Sequence, residues 1–246
     1  MKTLFLYNSI KPLDRQAHRN LRVSNATTFE FARDAQMVPI NGAEFFSAAR
    51  SFPLLFIGRE DNISPVALMG LTEGHNRFLQ ADGQWQESTY VPAFVRRYPF
   101  MFADTGAEEL TICIDEDFAG WNEQEGRELF TDNGEYSTFL QSMVGLMQNY
   151  FNDSKQTRAF VLQLQKLNLL VPRSVKMTHR NGKSFTLQDF YAVDEKRLRQ
   201  LGDADVLELN RQGFLGLIYA HLMSLGNINV LFEDYLNAGF GSDAKH

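Results

Sequence analysis

Residues 138–170, TFLQSMVGLMQNYFNDSKQTRAFVLQLQKLNLL, constrain this chain more than any other stretch. Apolar side chains recur there at helical spacing, and no proline interrupts them. Phe139, Met143, Leu146, Met147 and Tyr150 form one stripe, and Phe160, Leu164 and Leu167 continue a similar one. The spacing predicts a long central helix region.

On both sides of that helix the pattern is β. Upstream, PLLFIG (53–58) and PVALMGL (65–71) are apolar runs, TEGHN is a turn and RFLQ (77–80) is a candidate hairpin partner. ADGQW carries an Asp-Gly turn signal. PFMFADT and ELTICID predict two more strands with GAE turning between them, and TLFLY (3–7) predicts another. Downstream, Asn181-Gly182 between polar-apolar alternations is the strongest hairpin signal in the chain. Short helices are expected at 42–51 and 90–98, and about three follow residue 194. The polar tail GFGSDAKH reads as frayed.

The return of β signals after the helix predicts one interwoven α+β domain over residues 1–246. It would have a mostly antiparallel sheet, interspersed short helices, a long central helix region and a helical C-terminus. A candidate seam lies near 131–136, TDNGEY.

Composition narrows the function. With 44% hydrophobic and 22% charged residues, the chain has enough apolar surface to build a core. Its 21 phenylalanines predict an aromatic-rich one. A net charge of −6 without a long basic tract argues against nucleic acid as a partner. No apolar run is read as reaching the ~20 residues of a membrane span, and MKTLFLYNSIKPLDRQ reads as mature protein rather than a signal peptide. The single cysteine, Cys113, excludes an internal disulfide and points to a reducing compartment, with the cytoplasm as the expected location.

Motifs for common chemistries are missing. There is no HExxH, GxSxG, GxxxxGK[ST] or GxGxxG pattern. His18, His75, His179, His221 and His246 do not pair at metal-ligand spacing, so neither a metal nor a cofactor is expected. His75 reads as an exposed turn residue and His221 as a core histidine with a hydrogen-bond partner. Cys113 lies in an apolar strand, where a thiol is an inert hydrophobe.

Two segments remain. In YVPAFVRRYPF (90–100), Pro92 suits a helix start and Pro99 a stop. Val91, Phe94, Val95 and Tyr98 share one face of that helix, with Arg96 and Arg97 on the other half. The arginines are either solvated or salt-bridged on a docked helix, or one of them faces a cleft and grips a carboxylate or phosphate. In CIDEDFAGWNEQEGRELFTDNGE, Asp115, Glu116 and Asp117 follow a strand end and Trp121 comes soon after. That segment is either a solvated acidic loop or a docking surface with Trp121 as anchor.

SFPLLFIG, PVALMGL, YVPAFVRRYPF, ICIDEDF, GEYSTFL and GFLGLIYAHLMSLGNINVL occur in this order. Together with PLDRQAHRNLRV they resemble the SapC family of bacterial proteins over roughly residues 5–235. The family takes its name from association with a bacterial surface layer, and some members are labelled peptide-transport components. Its genes often neighbour those of flavin-dependent halogenase-like proteins, cupin-like proteins and TonB-dependent receptors. The resemblance implies a non-catalytic accessory protein for peptide or amino-acid modification or uptake, partnered by a halogenase-like or cupin-like enzyme. It supplies no catalytic residue.

The expected binding residues for a small anionic ligand or a partner are Arg96, Arg97, Tyr98, Trp121, Asp115 and Asp117. One alternative is an enzyme using Asp115 or Asp117 as general base beside His75 or His221. Another is a surface-layer structural protein.

Overall fold

The β signals on either side of the long helix become eleven strands in the computed structural model, which describes residues 6–25, 28–103 and 110–238. They are β1 Ile10–Pro12, β2 Arg22–Val23, β3 Met37–Pro39, β4 Leu54–Ile57, β5 Ser64–Leu68, β6 Phe100–Ala103, β7 Thr111–Asp115, β8 Trp121–Asn122, β9 Arg127–Glu128, β10 Leu170–Thr178 and β11 Ser184–Val193. Seven α-helices accompany them: α1 Phe45–Ala48, α2 Ala93–Arg96, α3 Thr138–Lys166, α4 Glu195–Leu198, α5 Asp203–Arg211, α6 Phe214–Ser224 and α7 Asn227–Asn237. The fold is α+β. Its three sheets, β1-β7-β6, β10-β11-β4-β5-β3 and β8-β2-β9, are antiparallel throughout.

α3 shows how local chemistry sets an element's limits. The Ser137 side chain accepts from the Leu140 N–H at 3.1 Å and caps the first turn. At the other end Asn168 adopts φ 54°, and the Leu169 N–H returns to the Leu164 carbonyl at 2.9 Å while the Asn168 N–H reaches Gln165. This paired return is a Schellman stop with asparagine as the left-handed residue. α3 buries Leu140, Met147, Thr157, Phe160, Val161 and Leu164. Leu140 and Met147 serve a smaller core with Val23, Phe100, Ile114, Leu129 and Phe130. Phe160, Val161 and Leu164 serve the main core. One helix therefore roofs both, and Phe118 packs against each.

Several expectations are corrected. The helix at 42–51 is a 3-10 turn, Gly42–Glu44, followed by only four α residues. RFLQ forms no strand: only Leu79 bridges Trp85, around the Asp-Gly turn, while β5 pairs instead with β4 and β3. The terminal helices number four. Leu6 and Tyr7 are not in a strand; the rest of TLFLY, the GAE turn and the tail after 238 lie outside the described residues. At 131–136 the chain makes a turn closed by a Phe130–Tyr136 bridge.

The β4–β11 junction is thin. Its register includes the single pair Tyr191↔Phe56. α6 completes it from one side. The Leu54 N–H donates to Ser224 Oγ at 2.9 Å, and His221 bridges the two strands. His221 Nδ1 meets the Leu54 carbonyl at 2.8 Å, and Nε2 accepts from the Val193 N–H at 3.1 Å. The core histidine read in the sequence thus joins two strands where their own ladder is short.

Candidate functional site

The segment with the two arginines folds into one turn of helix. Pro92 stands at the N-cap of α2, and the chain leaves through a cis Tyr98–Pro99 peptide into β6. Phe94, Val95 and Tyr98 are buried, as their shared face predicts. Arg96 is exposed and Arg97 is half-buried.

Next to this turn lies a cavity of about 190 Å³. Its walls include Phe31, Tyr98, Phe118 and Phe139, and two cations, Arg96 and Arg127, also line it. An apolar cavity of ~150 Å³ is enough for benzene. The volume here is on the order of a single aromatic ring and well below that of a pocket for a drug-sized ligand.

The aromatic wall is held from behind. Tyr98 stacks on Phe31 at 4.0 Å between ring centres and meets Phe118 edge-on at 5.4 Å. Its hydroxyl donates to Asp115 Oδ2 at 3.1 Å. Burial, with the Asp115 charge second, pushes the phenol well above its ordinary pKa. Asp115 ends β7 and is fully buried, so the solvated acidic loop is corrected at this position. Its carboxylate also accepts the N–H groups of Asn8, Ser9 and Asp117 at 2.9, 2.8 and 3.2 Å. A buried carboxylate persists only with such donors. Trp121 donates its indole N–H to the Asp115 carbonyl at 2.7 Å and packs edge-on against Phe100 and Phe118. Four of the six expected binding residues, Tyr98, Asp115, Asp117 and Trp121, therefore meet in one hydrogen-bonded cluster. Within it only Tyr98 reaches the cavity.

Arg96 is oriented by a second buried carboxylate. Glu44 accepts from the Asn41 and Ala93 N–H groups and from Tyr90 Oη at 3.0 Å. Tyr90 Oη in turn accepts from Arg96 Nη2 at 3.1 Å, and Arg96 Nε donates to the Val91 carbonyl at 3.0 Å. Burial raises the Glu44 pKa, and the Tyr90 phenol is pushed up to about 12, first by burial and then by the Glu44 charge. Arg127 is carried by β9 after Gly126, and its guanidinium lies 4.1 Å from the Phe139 ring centre. Among the described residues neither Arg96 nor Arg127 forms an ion pair.

Arg97 departs from the helical-wheel expectation. The wheel separated it from the aromatics, yet rings from distant segments close around it. Its guanidinium carbon lies 4.4 Å from the Tyr150 centre, 4.6 Å from Phe94 and 5.9 Å from Tyr7. Tyr7 precedes β1 and Tyr150 lies on α3, so a wheel drawn for α2 alone could not include them.

Of the pairs named by the acid–base alternative, Asp115 and His221 do not meet. The donors around the Asp115 carboxylate are three backbone amides and a phenol, and both His221 nitrogens face backbone groups. His75 is half-buried beside Gly70 rather than exposed. Cys113 is buried, which raises its thiol pKa. Among the described residues no three His, Cys, Asp or Glu side chains gather as a metal site.

Compared with known families, the chain matches SapC over residues 13–231. It belongs to the SapC family. No curated protein and no solved structure matches it. The matched span of this SapC chain contains every residue that lines the cavity, together with Asp115, Glu44 and His221. It also contains most of Phe214–Asn237, a stretch long and apolar enough by length and composition alone to cross a membrane. In the fold that stretch is two helices, α6 and α7, broken after Ser224, and α6 points His221 and Ser224 into the main core.

Sequence reasoning missed Arg127, Phe31 and Phe118, and took Phe139 only as part of a helical stripe. The available signal was EGRE, a glycine-arginine step inside an acidic run. It identifies a strand-edge cation without saying what the cation faces.

Proposed function

We propose that this SapC protein is a non-catalytic binding protein for a small aromatic or apolar acid, free or as a residue of a peptide. One observation carries the reading: Arg96 and Arg127 both line an aromatic cavity, and among the described residues neither forms a direct ion pair with a carboxylate. A guanidinium presented in this way pairs with a carboxylate through two parallel N–H bonds. The ring walls supply the apolar contact. In this reading Arg97 is a structural cation, while Tyr98 is a wall and Asp115, Asp117 and Trp121 keep that wall in place. The accessory role follows from the family resemblance: the bound acid would be handed to, or received from, a flavin-dependent halogenase-like or cupin-like partner during amino-acid or peptide modification or uptake, in the cytoplasm.

Native mass spectrometry of the protein purified gently from its host, followed by calorimetric titration with phenylacetate and related single-ring acids, tests the reading. The expected result is one acid per chain. Arg127→Gln and Arg96→Gln should each weaken binding by roughly tenfold, the equivalent of one charge-assisted contact. Single-ring acids that bind no better than their uncharged amides, or binding indifferent to both substitutions, would refute it.

A further inference from the structure

The β10–β11 hairpin carries a second surface, independent of the cavity. β10 is the outer strand of the five-stranded sheet. Its ladder can be read outward from the turn. The His179 N–H donates to the Lys183 carbonyl at 2.8 Å, and the Gly182 N–H to His179 at 2.9 Å, with Gly182 at φ 88°. Bonded and non-bonded pairs alternate along an antiparallel ladder. Met177↔Phe185 and Val175↔Leu187 therefore carry rungs, whereas Lys176↔Thr186 and Thr178↔Ser184 do not. The backbone N–H and C=O of Lys176 and Thr178 thus point off the open edge, and among the described residues the register of β10 is with β11 alone.

A groove of about 610 Å³ runs beside this edge. It is lined by Val175, Lys176, Met177 and Thr178 on one side and by Asn229, Phe232 and Glu233 of α7 on the other. Side chains of consecutive strand residues point to opposite faces. Four in succession line one groove only when it follows the strand's edge. The upstream half of β10 is closed to pairing by Pro172 and by the register shift between Arg173 and Val175, which confines the accepting edge to 175–178.

The charge of the hairpin selects the occupant. Residues 170–193 hold Arg173, Lys176, Arg180 and Lys183 against Asp189 alone, on a chain of net charge −6. A second copy pairing edge to edge would set Lys176 and its basic neighbours against themselves, an unfavourable arrangement. We infer that this edge takes an extended acidic peptide segment of a partner protein, which adds as a strand between β10 and α7. Main-chain bonds to Lys176 and Thr178 would give affinity, and Lys176 and Arg180 would select acidic side chains.

The test uses the full chain and a fluorescein-labelled peptide alternating glutamate with valine. Controls are its lysine–valine counterpart and a version N-methylated at alternate residues. Anisotropy measures binding, and amide hydrogen exchange locates it. The expected result is saturable binding of the acidic peptide that weakens with salt, with new protection at the Lys176 and Thr178 amides. Lys176→Pro removes an off-edge N–H that the β11 ladder does not use, and should weaken binding by about tenfold or more. If that variant does not fold, the N-methylated peptide tests the same bonds. Equal binding of the acidic and basic peptides, full binding of the N-methylated one, or protection confined to other amides would overturn the inference. A homodimer abolished by Lys176→Pro would overturn it by assigning the edge to a second copy.

Discussion

His221 offers the sharpest test of how this fold is held together. It is fully buried, with one ring nitrogen against the Leu54 carbonyl and the other accepting the Val193 N–H. Only the neutral ring with its proton on Nδ1 satisfies both contacts. A second proton, on Nε2, would face a backbone N–H. Burial pushes the pKa down from 6.5 to about 4, opposed in part by the Leu54 contact. In the unfolded chain the ring titrates near its ordinary value, so the unfolded state binds the extra proton first. The stabilisation is present above pH 6.5 and is lost as pH falls from there towards 4. Linkage puts the full loss at ~3 kcal/mol and the part between pH 7 and pH 5 at ~2 kcal/mol. For a chain of this size ~2 kcal/mol lowers Tm by about 4–8 °C.

The assay is urea unfolding at pH 7, 6, 5 and 4.5 for the parent and for His221→Gln, which keeps one donor and one acceptor but does not titrate. The parent should lose ~2 kcal/mol more than the variant between pH 7 and pH 5. Parallel curves for the two proteins, or an imidazole that titrates above pH 6 by NMR, would refute the reasoning.

Other consequences follow from the same contacts. Arg97→Ala should destabilise the fold by about 2 kcal/mol through three lost ring contacts, whereas Arg96→Ala should leave Tm almost unchanged; paired thermal melts decide. Asp115→Asn should cost roughly 2–4 kcal/mol in urea unfolding, because one amide oxygen cannot serve all the donors now on the carboxylate. Gly126 has φ 106°, and a Cβ there would lie 2.1 Å from the Val23 carbonyl oxygen. Gly126→Ala should therefore disturb the β2–β9 pairing that presents Arg127, seen as lowered Tm together with loss of acid binding.

How much of this was legible in the sequence depends on the range of the interaction. α3 was readable because its stripe and the missing proline are local facts, and the β10–β11 hairpin because Asn181-Gly182 sets its own turn. RFLQ failed for the opposite reason. β5 finds better partners in β4 and β3, and strand pairing is decided by neighbours that a window does not contain. The helix at 90–98 shrank to 93–96 because Pro92 and Pro99 leave room for only one turn between them. In the acidic run, side-chain type predicted solvation, but Asp115 follows two buried strand residues, Cys113 and Ile114, and lies at the end of the strand where the N–H groups of Asn8 and Ser9 converge.

The two adjacent arginines show where a wheel stops being informative. Both were assigned to the polar half of one turn. Arg97 is drawn in by Tyr7 and Tyr150, residues far from it in sequence, and its Nε is left without a hydrogen-bond partner. Arg96 is held outward by Tyr90 and Val91, within six residues of it, and lines the cavity. A cation enclosed by rings cannot give bidentate bonds to a carboxylate without leaving them. One tied at its edges to a phenol and a carbonyl can, because its remaining donors are already oriented. In the proposed reading the difference in role rests on Glu44, which fixes Tyr90, and through Tyr90 fixes Arg96.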